Sequence, residues 1–163
     1  PHSMEGHMAL YKNVLHHTSN VTPKWFLEAV GVHVSRLNAC DYCVAHHSAG
    51  MRRLVCDEAR ADALLQALGS GRLAPAFTPA EQTALRYAEV LTRTPHARDV
   101  LKVQFDAMRG AGWDDGAILE INQVAAYFGY ANRMVQGLGI TTEGDVLGLS
   151  PGNAQDPDDW AHR

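Results

Sequence analysis

No stretch of this sequence approaches the roughly 20 consecutive apolar residues a membrane-spanning helix needs, so no bilayer anchor is expected. Positive charge is scarce. Against 18 Asp and Glu there are 14 Lys and Arg, and Arg52-Arg53 alone is too short for a basic patch, which argues against nucleic acid as a partner. The first residues lack the charged-then-apolar order of a secretion leader. Three cysteines, two of them close together, are too few for a secreted disulfide scaffold, and a cytoplasmic location is expected. Strand patterns, internal repeats and low-complexity tracts are missing. Flavin, nicotinamide and haem motifs are missing too, so no bound cofactor is expected and any reducing power must come from a partner. What remains is a chain with 46% hydrophobic and 20% charged residues and a net charge of −4, the balance of a single soluble domain with room for a core.

The chain reads as helix after helix, which makes the expected fold all-α. Residues 1–7 look like an expression remnant, with His7-Met8 as a cloning junction; residues 8–149 form the expected domain and residues 150–163 a tail whose anchor would be Trp160. A short helix is expected over residues 8–17. Thr22-Pro23 pairs a capping residue with a proline at the first helical position and opens a helix through about Leu37, where Asn38 is a plausible left-handed stop. A second helix follows from near Cys40 to about Val55, and Asp57-Glu58 opens a third that ends at Gly69-Ser70-Gly71. Thr78-Pro79-Ala80-Glu81 is a capping box, and its helix runs to about Arg93. Residues 97–108 form the next. Asp114 begins the longest helix, with Ile118, Ile121, Val124, Ala125 and Phe128 at helical spacing, and it stops at Gly137-Leu138-Gly139.

Chemistry concentrates in Cys40-Asp41-Tyr42-Cys43-Val44-Ala45-His46-His47. At 3.6 residues per turn Cys40, Cys43 and His47 share one face, while His46 turns away. Two cysteines separated by two residues at a helix start can close a disulfide or stabilise a thiolate. His47, four residues after Cys43, can take that thiol's proton or share a metal with it. The helix N-terminus offers partial positive charge, which favours a thiolate at Cys40 most. Glu28 lies among apolar neighbours in Trp25-Phe26-Leu27-Glu28-Ala29-Val30, the setting of a buried acid with a raised pKa.

From Glu28 there are eleven intervening residues to Cys40, two to Cys43 and three to His47. That pattern resembles the signature of the alkylhydroperoxidase D-like proteins within the carboxymuconolactone decarboxylase family. Val34-Ser35-Arg36-Leu37-Asn38 looks like the same family, and the stretch Ala125-Ala126-Tyr127-Phe128-Gly129-Tyr130-Ala131-Asn132-Arg133-Met134 resembles its peroxidase-related branch. The likeness spans Pro23 to Ile140. It implies an all-helical bundle, a homo-oligomer of the trimeric, dimeric or hexameric kind, of which a dimer or a hexamer built from dimers is expected here, and a thiol peroxidase recycled by a dithiol such as a lipoyl protein. It also implies Cys43 as the thiol that attacks the hydroperoxide, Cys40 as the resolving thiol, and Glu28 with His47 as the proton relay. Tyr42 stands where the family's best-known enzyme has a histidine, and tyrosine is a poor base near neutral pH.

Other readings compete for the same residues. A structural zinc site at Cys40, Cys43 and His47 needs a fourth ligand, and Cys56 lies nine residues past His47, about 13 Å along a continuous helix. Cys56 reads better as a buried small hydrophobe. Tyr42 and His46 are the candidates for touching substrate, although His46 also suits surface or interface packing. His16, His17 and His33 carry no spacing argument and read as solvated or packing residues. Tyr127, Phe128 and Tyr130 read as core or subunit interface, and no chemical role follows for Asn132 or Arg133. Against the enzyme stands a redox-sensing or binding module that oxidises once without turnover. Lactone decarboxylation would leave the cysteine pair without a purpose.

Overall fold

A nearly unbroken apolar run dictates the centre of this molecule. In the computed structural model, which describes residues 2–148, α2 (Lys24–Leu37) is buried continuously from Phe26 to Ser35, as a helix that is apolar all round must be. Around it stand α3 (Asp41–Val55), α5 (Pro79–Arg93) and α7 (Asp115–Gly137), with α4 (Glu58–Ser70) and α6 (Arg98–Gly110) completing the bundle. Ahead of them come α1 (His2–Tyr11) and a π turn over Lys12–His16, which packs on α2 and α7. Among the described residues there is no strand, and no helix is long and apolar enough to cross a membrane. The tail with Trp160 lies outside the described residues.

Several helix ends follow the sequence. Thr78 and Glu81 form the expected capping box, the Asp57 and Asp114 side chains cap α4 and α7, and Gly71 closes α4 in the left-handed region at φ 70°. Others differ. The leading helix starts at His2 rather than Met8, and it gives way to the π turn at Lys12. Pro23 is the N-cap of α2 and not its first helical residue; Thr22 caps nothing. The amides of Val21 and Thr22 instead donate to the Glu120 carboxylate on α7, at 2.9 and 2.8 Å. At the other end of α2 the left-handed residue is Ala39 (φ 54°), not Asn38 (φ −89°). The cause is tertiary. Asn38 Nδ2 donates to Asn132 Oδ1 at 2.9 Å, and Gln136 Nε2 donates to the Asn38 and Ala39 carbonyls at 2.8 and 3.0 Å. These bonds from α7 offset the roughly 1–2 kcal/mol that an L-residue costs in the left-handed region. Cys40 N then donates to Ser35 O at 2.9 Å, closing a Schellman-type turn that reverses the chain from α2 into α3.

Cys56 is a correction of another kind. It is exposed, not a buried hydrophobe, because α3 ends there in a left-handed cap (φ 53°) whose thiol donates to the Arg53 carbonyl. Gly31, in the middle of α2, brings the core to bear on the thiol helix. A Cβ at that position would lie 2.4 Å from the Phe128 ring, so only glycine lets Phe128 nest against α2. Phe128 in turn meets the His47 ring edge-on, with centroids 4.6 Å apart.

Candidate active site

The reversal at Ala39 lays α3 antiparallel to α2 and thereby sets Glu28 against the thiol helix. Cys40 is the N-cap residue of α3, and Cys43 lies in its first turn. Both thiols are buried, with their sulfurs 2.9 Å apart and Cys40 donating to Cys43. Glu28 is 1% exposed, and its Oε2 meets His47 Nδ1 at 2.7 Å. Gly50, one turn further along α3, lies beside this carboxylate, where a Cβ would make ordinary van der Waals contact at 3.4 Å. Glu28, Cys40, Cys43 and His47 are therefore brought together as the sequence pattern anticipates.

The electrostatics of Cys43 decide what it can do at rest. Burial pushes its thiol up to about 12; the Cys40 thiol acts in the same direction, and a hydrogen bond from Asn132 acts against them. A thiol this reluctant to ionise is inert until a base removes its proton. His47 lies one helical turn from Cys43, and its Nδ1 is engaged by Glu28, which fixes the ring and leaves Nε2 as the proton acceptor. The carboxylate and the imidazole thus stand as a hydrogen-bonded pair one helical turn from a thiol that does not ionise unaided.

Above the thiols opens a cavity of about 540 Å³. Its floor holds Cys43, His47 and Glu28, and its walls come from α1 (Met4, His7, Met8, Tyr11), α7 (Tyr127, Tyr130, Met134) and the segment after α7 (Ile140, Val146). Residues 2–7, which read as a remnant in the sequence, form the start of α1. Their His7 ring packs on Tyr127 and Tyr130. Tyr127 and Phe128 are buried within the chain, whereas Tyr130 and Met134 remain 42% and 40% exposed at the cavity wall.

Tyr42 and His46 both line this cavity, but neither reaches Glu28 as a partner. Their rings lie 4.4 Å apart. His46 Nε2 is 3.1 Å from Asp145 Oδ2. Burial raises the Tyr42 phenol, and the Asp145 carboxylate raises it further, so Tyr42 holds its proton and cannot replace a histidine base. Both residues instead fasten the segment after α7 across the cavity. Arg53 adds to this by donating to the Leu147 and Gly148 carbonyls at 3.0 and 2.8 Å. Gly148, at φ 72°, presses so closely on Ala49 and Gly50 that a Cβ would lie 2.7 Å from their backbone.

Two residues to which sequence reasoning gave no role stand at the site. Asn132 is fully buried on α7; it binds Ser35 Oγ at 3.0 Å as well as Asn38 and Cys43, and so ties the reversal to the thiol. His16 is buried, with Nε2 3.8 Å from Glu28 Oε1. No periodicity links His16 to Glu28, because they lie on different elements. Arg133, by contrast, turns back to the Gly129 carbonyl of its own helix. Cys56 sits at the far end of α3 from Cys40. Among the described residues no three His, Cys, Asp or Glu side chains converge as a metal site would require.

The sequence model of the carboxymuconolactone decarboxylase family matches residues 1–90. Three solved structures share the fold. An uncharacterized peroxidase-related protein from Silicibacter sp. TM1040 superimposes with a TM-score of 0.74 at 24% identity, covering 86% of this chain and 70% of that one. A second uncharacterized peroxidase-related protein, from Ralstonia eutropha JMP134 and described as an alkylhydroperoxidase AhpD core, gives 0.74 at 25% identity with the same coverage. A protein of unknown function from Agrobacterium tumefaciens, for which an AhpD-type role in antioxidant defence has been suggested, gives 0.73 at 20% identity over 86% of this chain and 90% of that one. No curated protein matches.

Proposed function

Because the chain belongs to the carboxymuconolactone decarboxylase family, we propose that it is a thiol-dependent peroxidase in which Cys43 reduces hydroperoxides and a dithiol partner restores it. The observation that carries this reading is the 2.7 Å contact between Glu28 and His47, placed one helical turn from a thiol that cannot ionise unaided. His47 takes the Cys43 proton as peroxide binds, and Glu28 stabilises the imidazolium that forms. The thiolate attacks the outer peroxide oxygen. The O–O bond breaks, the alcohol leaves with the proton held by His47, and Cys43 becomes a sulfenic acid. Cys40, its sulfur already 2.9 Å away, displaces water from that sulfenic acid and forms the disulfide. An external dithiol, of which a lipoyl group is the leading candidate, reduces the disulfide to two thiols and is itself oxidised by two electrons.

Steady-state assays with an organic hydroperoxide and a reduced lipoyl domain test this. Turnover over many equivalents of peroxide is expected. Oxidation that stops after one equivalent, with every dithiol tried, identifies a sensor and refutes the enzyme. The homo-oligomer belongs to the same proposal, a dimer or a hexamer built from dimers. Tyr130, Met134, Leu138 and Ile140 leave apolar area uncovered at the end of α7, which a symmetric copy would bury. Light scattering at micromolar concentration is expected to give a multiple of 17.8 kDa, and a mass at that single-chain value refutes it.

A further inference from the structure

Glu28 has a second imidazole neighbour, unused by the relay described so far. His16 ends the π turn, a distortion that recurs at functional sites. Its side chain is 5% exposed, and its Nε2 lies 3.8 Å from Glu28 Oε1, the oxygen that His47 does not engage. That nitrogen is buried without a hydrogen-bond partner, a destabilising condition in a folded interior. The gap exceeds an ordinary hydrogen bond by about 1 Å, and hydrogen bonds in unliganded active sites are commonly long and tighten when substrate binds. The Tyr11 ring meets His16 and His47 edge-on, at 5.0 and 6.3 Å, so the two imidazoles flank one carboxylate under a common aromatic cover.

We propose that His16 is a positioning residue of this site: its neutral imidazole, carrying the proton on Nε2, faces Glu28 Oε1 and holds the carboxylate ionised and aimed at His47. This rests on the relay reading of Glu28 and His47. A carboxylate that accepts an N–H on each oxygen is stabilised as the anion, and the anion keeps His47 in the tautomer whose Nε2 is free. The groups facing His16 are Glu28 and Lys24 on α2, His47 on α3 and Tyr11 on α1, and Tyr11 in turn packs on Tyr127 of α7. Burial lowers the imidazole to about 4 against the pull of Glu28, and His47 and Lys24 act with burial. His16 is therefore neutral at neutral pH. A cation there would cancel the charge on which His47 depends.

Two substitutions separate this role from packing. His16→Phe keeps an aromatic ring and removes the donor, whereas His16→Gln keeps an N–H. NMR of nitrogen-15-labelled imidazoles reads the outcome without any substrate. In the unaltered protein His16 is expected as the Nε2–H tautomer, neutral from about pH 5 to about pH 8. Loss of the donor makes the Glu28 anion more basic, so the protonation midpoint of the Glu28–His47 pair is expected to rise by about one pH unit in His16→Phe. It should return to its original value in His16→Gln. In peroxide assays the acid limb of kcat/KM should move by the same amount, about a tenfold loss below both limbs with the alkaline rate unchanged. A midpoint that stays put in His16→Phe, or a loss equal at every pH, overturns the proposal. Should that variant not fold, the tautomer decides, and a His16 protonated on Nδ1 alone overturns it. An absence of peroxide turnover in the unaltered protein refutes the peroxidase reading instead, and the imidazole titration still decides the role of His16.

Discussion

In Cys43→Ser, dithiol-dependent hydroperoxide turnover is expected to fall to background, at least about a thousandfold below the parent. A serine hydroxyl is a far poorer nucleophile toward peroxide oxygen and yields no sulfenic acid, so neither half of the cycle survives. Cys40→Ser should separate the halves. Peroxide then converts Cys43 to a sulfenic acid that cannot condense with a neighbour, and a dimedone-type reagent should label it at one equivalent per chain. The choice between the two thiols is a real contest of effects. Cys40 is the N-cap residue of α3, where the helix dipole favours an anion most. Cys43 faces the cavity; His47 is one turn away, and Asn132 donates to its sulfur. The helix dipole contributes roughly 0.3–1 kcal/mol to a nearby exposed charge and up to about 2 kcal/mol in buried geometries such as that of Cys40, whereas a positioned base commonly contributes a factor of about 10² to 10⁴ in rate, roughly 3–5 kcal/mol. The base outweighs the dipole. A sulfenic acid trapped on Cys40 in the Cys43→Ser protein would reverse the assignment.

The spacing from Glu28 to His47 was legible because it is helical twice over. Glu28 belongs to the buried run of α2, Cys43 and His47 share a face of α3, and one reversal between them suffices to bring the acid to the base. The reversal itself was legible in place but not in detail. Asn38 has the chemistry of a left-handed stop, yet Asn132 and Gln136 on α7 claim its side chain and carbonyl and pass the positive φ to Ala39. Partners about a hundred residues away leave no local trace, which is also why Asn132 gained no role from the sequence. His16 was illegible although it lies only twelve residues before Glu28. It reaches Glu28 only through the packing of the π turn on α2 and α7. Cys56 failed differently. Its type predicts burial, but its position at the end of α3, just beyond Arg52, which pairs with Glu58 and Asp62, puts it in solvent.

His47→Gln is expected to lower kcat/KM for hydroperoxide by about 10² to 10⁴ at neutral pH and to change the shape of the pH profile. Glutamine keeps a polar side chain that still reaches Glu28 but accepts no proton, so the base disappears, together with the edge-on ring contact to Phe128. Without it, reaction must wait for the fraction of Cys43 that ionises by itself. With burial holding that thiol up at about 12, the thiolate fraction grows tenfold for each pH unit throughout the range in which the protein can be assayed. The rate of the variant should therefore climb with unit logarithmic slope from about pH 7 to about pH 10. The parent should instead level off once the Glu28–His47 pair has lost its acid-side proton. Glu28→Gln should show a milder form of both effects, since His47 remains but loses the charge that stabilises its cation. Iodoacetamide labelling of Cys43 follows the same thiolate and needs no peroxide, with exposed Cys56 in the same chain as its reference. A His47→Gln protein whose labelling and turnover keep the parent's pH dependence would show that Cys43 finds its base elsewhere, and the relay would be wrong.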